Sequence, residues 1–225
     1  MTTEAAMHWA ASGSEPKLDV GRRMMAFNWL PAAYAHADWL GPWAELLRER
    51  DAVSTRILQR ASVALIDRYD LRVRYVRDAG ANHWLMHSHL TVTAIANALG
   101  TAMLGGWVRG RLERREVEQQ QAVLGTAGRQ DALRYSHEFQ ALPFPKTSSG
   151  WPVPLSSPES VVKLGLSCLV SLLTDSTDGA RERFTLRFAH GHVTPLTLTT
   201  RQREEAATLI DAVESAPTLA AGVTT

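Results

Sequence analysis

Three histidines lie close together in the segment HWLMHSH, where they could serve as metal ligands. His83 and His87 are four residues apart, so on a helix their side chains would share one face. A metal site needs several converging ligands, yet no Asp or Glu occurs between residues 79 and 108. Only distant side chains such as Asp78 or His137 could complete the set. We therefore predict no metal and interpret the pair as polar histidines at a helix start or a subunit contact. A metal-binding protein or metal-dependent enzyme using His83 and His87 is the alternative.

Other catalytic patterns are absent from the sequence. It contains no glycine-rich phosphate loop of the G-x-x-x-x-G-K-[ST] type and no G-x-S-x-G nucleophile turn. The single cysteine, Cys168, has no second cysteine for a disulfide or a zinc site, and its apolar surroundings indicate a buried thiol. We therefore expect no catalytic residue and no cofactor.

The charge balance argues against a general nucleic-acid binder. The 225 residues include 24 Lys and Arg against 23 Asp and Glu, a formal net charge of +1. The most basic run, RGRLERRE, interleaves its arginines with acidic residues, which is typical of a solvated helix face rather than a phosphate-binding stripe. This near-neutral charge balance favours a globular protein with no nucleic-acid partner.

One segment, from Ala79 to Val108, carries no charged residue and is long enough to span a membrane. It also contains histidines, threonines and glycines, which make a poor span beside a leucine-rich helix. We predict helices buried in a protein core, with a membrane-embedded protein as the alternative. The N-terminus lacks the basic and apolar regions of a secretory signal, so we expect a cytoplasmic protein without direct membrane insertion.

The elements that would position these residues are mostly helical. Ser54 begins a helix with apolar residues at helical spacing, and Gly125 ends another as a C-terminal glycine. Pro158 begins a third, and Thr199 or Thr200 caps the last, which covers about Arg201 to Ser215. Near 183–198, RFTLRF alternates apolar and polar residues and predicts a strand that pairs with TPLTLT as a short β-hairpin. The predicted fold class is a mainly α, irregular helical bundle with an N-terminal aromatic cap.

Proline marks one candidate boundary, because half of the ten prolines fall between residues 143 and 158. The predicted organisation is a flexible tail (1–20), a helical body with the aromatic cap (21–142), a proline-rich linker (143–157), a C-terminal helical subregion packed on the body (158–216) and a second tail (217–225).

The most distinctive segment is FNWLPAAYAHADWL, residues 27 to 40. It is too broken for an amphipathic helix and too rich in alanine for a strand. Its rings supply large apolar areas, and its polar groups can satisfy loop backbone. The segment is therefore a packing cap or, alternatively, a surface for a protein partner.

This segment resembles the N-terminal pattern of the SctK family, accessory proteins of bacterial type III secretion systems, in the branch found in plant pathogens. Ala37 departs from the pattern, since many relatives have proline there. The residues that carry the resemblance are Phe27, Asn28, Pro31, Tyr34, His36, Trp39 and Leu40.

The resemblance implies a non-enzymatic adaptor of the cytoplasmic sorting platform beneath the injectisome. It would link the SctD-type inner-membrane ring protein to the SctQ-type cytoplasmic-ring protein, and lie peripheral to the inner membrane when assembled. No catalytic residue is implied, and the seven motif residues would be structural or partner-binding.

Overall fold

The computed structural model describes residues 20–49, 52–71, 76, 80–110, 113–143, 155–173 and 179–216. Most of the predicted linker and nearly all of both predicted tails lie outside these residues. The chain divides into two compact units, each built from segments that are distant in sequence. Of the described residues, the first unit comprises those within 20–92 and 173–192, and the second comprises those within 93–172 and 193–216.

The first unit is a set of short helices. They are α1 (Val20–Trp29), α2 (Ala37–Leu40), α3 (Thr55–Arg68) and α8 (Ala180–Thr185), with 3-10 turns at Pro31–Ala33, Gly41–Trp43 and Gly80–Met86. Helix α3 begins after Ser54, as the sequence predicts, although the Ser54 side chain makes no capping hydrogen bond. The buried apolar core of this unit contains Leu40, Leu47, Leu58, Leu65, Ile66, Leu71 and Leu186.

The second unit contains the longer helices. They are α5 (Gly105–Gly110), α6 (Arg114–Glu138), α7 (Pro158–Leu172), α9 (Thr200–Glu214) and most of α4 (His89–Met103). Helix α6 is broken at Gly125, whose φ of 69° is left-handed, so the predicted helix end is confirmed and a further helical stretch follows it. Pro158 begins α7 as predicted, and Thr199 caps α9 in a reciprocal capping box with Gln202.

Glycine allows two helices of the second unit to touch backbone to backbone. A Cβ added at Gly100 would lie 2.0 Å from the Val161 carbonyl oxygen, and one at Gly165 would lie 1.7 Å from the Ala96 carbonyl oxygen. Any larger residue at either glycine would therefore force α4 and α7 apart.

The uncharged segment forms helices that are largely buried. The stretch His89–Gly110 is long and apolar enough to cross a membrane by length and composition alone, and 67% of its most apolar window is buried inside the structure. Core helices of globular proteins pass the same test, so this stretch is weak evidence for a membrane span.

The predicted β-hairpin near 183–198 is wrong. Residues 183–185 end helix α8, turns follow to Phe188, and residues 193–199 form no strand. The alternation in RFTLRF would suit a strand only if its arginines faced water, whereas Arg183 and Arg187 are 1% and 5% exposed. The mainly helical class itself is confirmed across the described residues.

Candidate functional site

The seven motif residues all lie in the first unit, on the helical turns between Phe27 and Leu40. Near the end of α1, Phe27 is fully buried and Asn28 is 3% exposed. The Asn28 side chain donates from Nδ2 to the Val76 carbonyl at 2.7 Å and accepts at Oδ1 from the Val76 N–H at 2.8 Å. One amide thus satisfies both polar groups of a distant buried residue, which few other side chains can do.

A buried proline turns the chain after α1. Pro31 begins the 3-10 turn, and the next residue, Ala32, donates its N–H to the Ser62 hydroxyl of α3 at 3.2 Å. The turn directs Tyr34 back over Phe27, with ring centroids 5.4 Å apart and nearly parallel. The Tyr34 hydroxyl donates to the Phe27 carbonyl at 2.6 Å, and desolvation by burial raises the pKa of this phenol well above its ordinary value.

His36 starts helix α2. Its Nδ1 accepts a hydrogen bond from the Asp38 N–H at 3.3 Å, which caps the first turn. Its own N–H donates to the Leu186 carbonyl at 2.6 Å, and the Asp38 carboxylate accepts from the His190 N–H at 3.2 Å. Both ends of this turn are therefore tied to residues 186–190.

Trp39 makes the third tie to the same segment. Its indole Nε1 donates to the Phe188 carbonyl at 2.5 Å, and its ring lies 3.6 Å from the His190 ring, centroid to centroid. The Tyr69 ring lies nearly perpendicular to the Trp39 ring, with centroids 5.4 Å apart, and Leu40 is buried in the same core. The motif therefore joins residues 27–40 to residues 186–190 within one unit.

Arg187 lies at the centre of this arrangement, although the sequence pattern places it on a solvent face. Its guanidinium donates to the carbonyls of Leu85 at 2.9 Å and His87 at 3.1 Å. It also lies 5.6 Å from the Phe27 ring centroid and 5.5 Å from that of Tyr34, at cation–π distance. Burial lowers the pKa of Arg187 to about 10.

Arg183, one helical turn earlier, donates to the Leu71 carbonyl at 2.8 Å. One sequence feature could have indicated that these two arginines lie on a helix. Their four-residue spacing matches that of Phe184 and Phe188 and suits a helix as well as a strand.

The histidine pair does not form a metal site. The rings of His83 and His87 meet edge to face with centroids 6.2 Å apart. Among the described residues, no group of three or more His, Cys, Asp or Glu ligand atoms at metal-binding distance includes both histidines. Asp78, a candidate third ligand, lies outside the described residues. The contact between these two rings therefore gives no support to the metal-dependent alternative.

The only cysteine is equally unsuited to chemistry. Cys168 is fully buried in α7, and desolvation raises the pKa of its thiol to about 12. A thiol with this pKa stays protonated near neutral pH, so it is a poor nucleophile and a poor metal ligand.

Comparison with known proteins gives one family. The family model described as YOP proteins translocation protein K (YscK) matches residues 23–216, which is most of the chain and includes the whole aromatic motif. No curated protein matches the chain, and no solved structure matches it either.

Proposed function

The chain belongs to the YscK family of type III secretion proteins, which is the SctK family, and from this premise we propose that it is a non-enzymatic adaptor of the cytoplasmic sorting platform. In this role it links the SctD-type inner-membrane ring protein to the SctQ-type cytoplasmic-ring protein. It works in the cytoplasm, at the periphery of the inner membrane, and needs no cofactor.

The observation that carries the non-enzymatic part is how the motif uses its polar groups. Asn28, Tyr34 and Trp39 direct their side-chain donors to main-chain carbonyls of the same unit. Buried Arg187 does the same with two carbonyls. Donors committed in this way hold a fold together and are not available to bind a substrate.

The motif residues are accordingly proposed as a packing cap rather than a partner-binding surface. Phe27, Asn28 and Leu40 are 3% exposed or less, so a partner could not reach their side chains without unfolding the unit. Loss of the cap would separate residues 27–40 from residues 186–190 and so disable the adaptor indirectly.

The division into two units supports an adaptor with two separable interfaces. Each unit has its own buried core and its own exposed helices, so each can present one binding surface. Interfaces between components that exchange during secretion are of modest area and partly polar, with a few aromatic or arginine anchors.

Deletion of the gene from a secreting strain tests the adaptor role. Secretion should stop while the membrane rings still assemble, and the SctQ-type protein should no longer be recovered with isolated rings. Complementation with the Cys168→Ala variant should restore secretion, because a fully buried, protonated thiol is a poor nucleophile. Normal secretion by the deletion strain, or turnover of a substrate by the pure protein, would contradict the proposal.

A further inference from the structure

Helix α1 presents an outward face that the packing cap leaves open. Arg22, Met25 and Trp29 follow one another at spacings of three and four residues, so they lie on one face of the helix. All three are exposed, Met25 at 48% and Trp29 at 54%. The opposite face, with Phe27 and Asn28, is buried in the first unit.

Few large apolar side chains are exposed among the residues that the structure describes, which makes the pair notable. Of the six exposed large hydrophobic residues in the described part of the chain, only Met25 and Trp29 are spaced as neighbours on one helix face. Trp, Met and Arg are the residue types enriched in the centres of protein interfaces, whereas an isolated exposed apolar residue has no such meaning.

The charged side chains of helix α1 itself all have one sign. Helix α1 contains Arg22 and Arg23 and no acidic residue. Helix α3, which packs against α1, exposes Arg56 and Arg60. Within the described ranges, Arg22, Arg56 and Arg60 form no ion pair. A partner that covers the α1 face would therefore gain from carboxylates placed opposite these guanidiniums.

We propose that the face formed by Arg22, Met25 and Trp29 docks an acidic amphipathic helix of a partner protein. The apolar stripe of that helix covers Met25 and Trp29, and its flanking carboxylates meet Arg22. We expect this partner to be a component of the secretion apparatus, and that expectation rests on the proposed adaptor function.

A bilayer surface is a different occupant with related chemistry, and the helix fits it poorly. An interfacial helix uses its whole apolar face to enter lipid. In α1 the larger part of the apolar surface is already packed, since Ala26 and Phe27 are 5% and 0% exposed. Two remaining apolar side chains give too little area to hold a membrane, but enough for the anchor of a protein interface.

Photo-crosslinking in a secreting strain tests the occupant directly. The full-length chain carries p-benzoylphenylalanine in place of Trp29, and a matched chain carries it in place of Leu90, which is 70% exposed and lies elsewhere in the first unit. We expect the Trp29 position alone to yield an adduct whose partner peptide has net negative charge and apolar residues at helical spacing. The absence of a protein adduct at Trp29, or an adduct with a basic segment, would overturn the proposal.

Binding by the purified full-length chain provides the second test, with a synthetic peptide of the cross-linked segment as the probe. Trp29→Ser and Arg22→Glu should each weaken binding at least tenfold, and the Arg22→Glu complex should lose most of its sensitivity to salt. Arg115→Glu, which changes an exposed arginine on α6 of the second unit, should bind within twofold of the unchanged chain. Equal binding by all variants would overturn the proposal.

Vesicles of phosphatidylcholine and phosphatidylglycerol test whether the face binds a membrane surface instead of a protein. We expect no binding to these vesicles, whereas binding that Trp29→Ser abolishes would replace the protein partner with a membrane surface.

The two proposals also fail separately. A deletion strain that secretes normally refutes the adaptor while an acidic adduct at Trp29 still supports the docking face. A secretion-deficient deletion strain with no adduct refutes only the docking face.

Discussion

The indole nitrogen of Trp39 donates a hydrogen bond of 2.5 Å to the main-chain carbonyl of Phe188, 149 residues further along the chain. This bond, with the ring contact between Trp39 and His190, closes the first unit by joining its N-terminal helices to the segment after α8. The aromatic motif is therefore most directly tested through the stability of that unit.

Replacing Trp39 should destabilise the protein in two separable steps. Trp39→Phe keeps a ring but removes the hydrogen bond, and should lower the free energy of unfolding by about 1 kcal/mol. Trp39→Ala also removes the ring and should cost about 3 kcal/mol. Chemical denaturation measures both, with Trp29→Ala as the exposed control, which should change stability by less than about 0.5 kcal/mol. Unchanged melting combined with lost partner capture would instead make Trp39 a contact residue.

Arg187 should be essential for folding because two main-chain carbonyls depend on its guanidinium. Arg187→Met leaves both carbonyls unsatisfied and should lower the free energy of unfolding by about 3 kcal/mol. Arg187→Lys should be intermediate, since an ammonium lacks the planar fork that reaches both acceptors. Arg60→Met is the control on an exposed arginine. If Arg187→Met were as stable as Arg60→Met, the buried contacts would carry no net free energy.

The Asn28 amide should not tolerate a carboxylate. Asn28→Asp is nearly isosteric, but it removes the donor to the Val76 carbonyl and places negative charge against that oxygen. We expect a loss of about 2 kcal/mol of stability above the pKa of the new carboxyl group. The same change at Asn97, an exposed residue of α4, should be nearly neutral. Thermal melting of the two variants side by side tests this expectation. Equal melting temperatures would argue against the pair of hydrogen bonds between Asn28 and Val76.

Glycine at position 165 should be required for the α4 and α7 contact of the second unit. Gly165→Ala puts a Cβ 1.7 Å from the Ala96 carbonyl oxygen, so it should cost about 3 kcal/mol or prevent folding. Gly128→Ala in α6 meets only ordinary contact with the Leu124 side chain and should stabilise the helix by about 0.5 to 1 kcal/mol. A folded, unperturbed Gly165→Ala protein would contradict the close approach of the two helices.

His89 should make the first unit sensitive to acid. Desolvation, together with the positive charges of Arg187 and His36 nearby, lowers the pKa of His89 below the ordinary histidine value of 6.5. The unfolded chain then binds more protons than the folded chain between the two pKa values. The contribution of His89 is therefore fully present above pH 6.5 and is lost as the pH falls through the folded pKa.

Melting temperatures measured from about pH 7.5 down to about pH 5 should show this loss in the unchanged chain. They should show a smaller loss in His89→Gln. His83→Gln, which changes an exposed histidine, should keep the full loss. An identical pH profile for His89→Gln and the unchanged chain would exclude His89 as the cause.

Signals that act within a few residues were sufficient to predict several helix boundaries. Proline at 158 begins α7, the Thr199 and Gln202 pair caps α9, and Gly125 interrupts α6. Each of these depends on the backbone conformation of one turn, so the sequence alone determines it. The aromatic motif was also sufficient to identify the family, because its residues stand at fixed spacing in one short segment.

The tertiary structure alone decided what covers these elements. Nothing near Asn28 in the sequence points to Val76, and the alternation around Arg187 predicts a solvent-facing arginine on a strand. Arg187 is buried where main-chain carbonyls and aromatic faces converge on it. The two carbonyls come from residues 102 and 100 positions earlier, and the rings of Phe27 and Tyr34 come from still further away in the sequence. Periodicity specifies which side chains share a face, but the free energy that buries the face depends on residues brought to it by the rest of the chain.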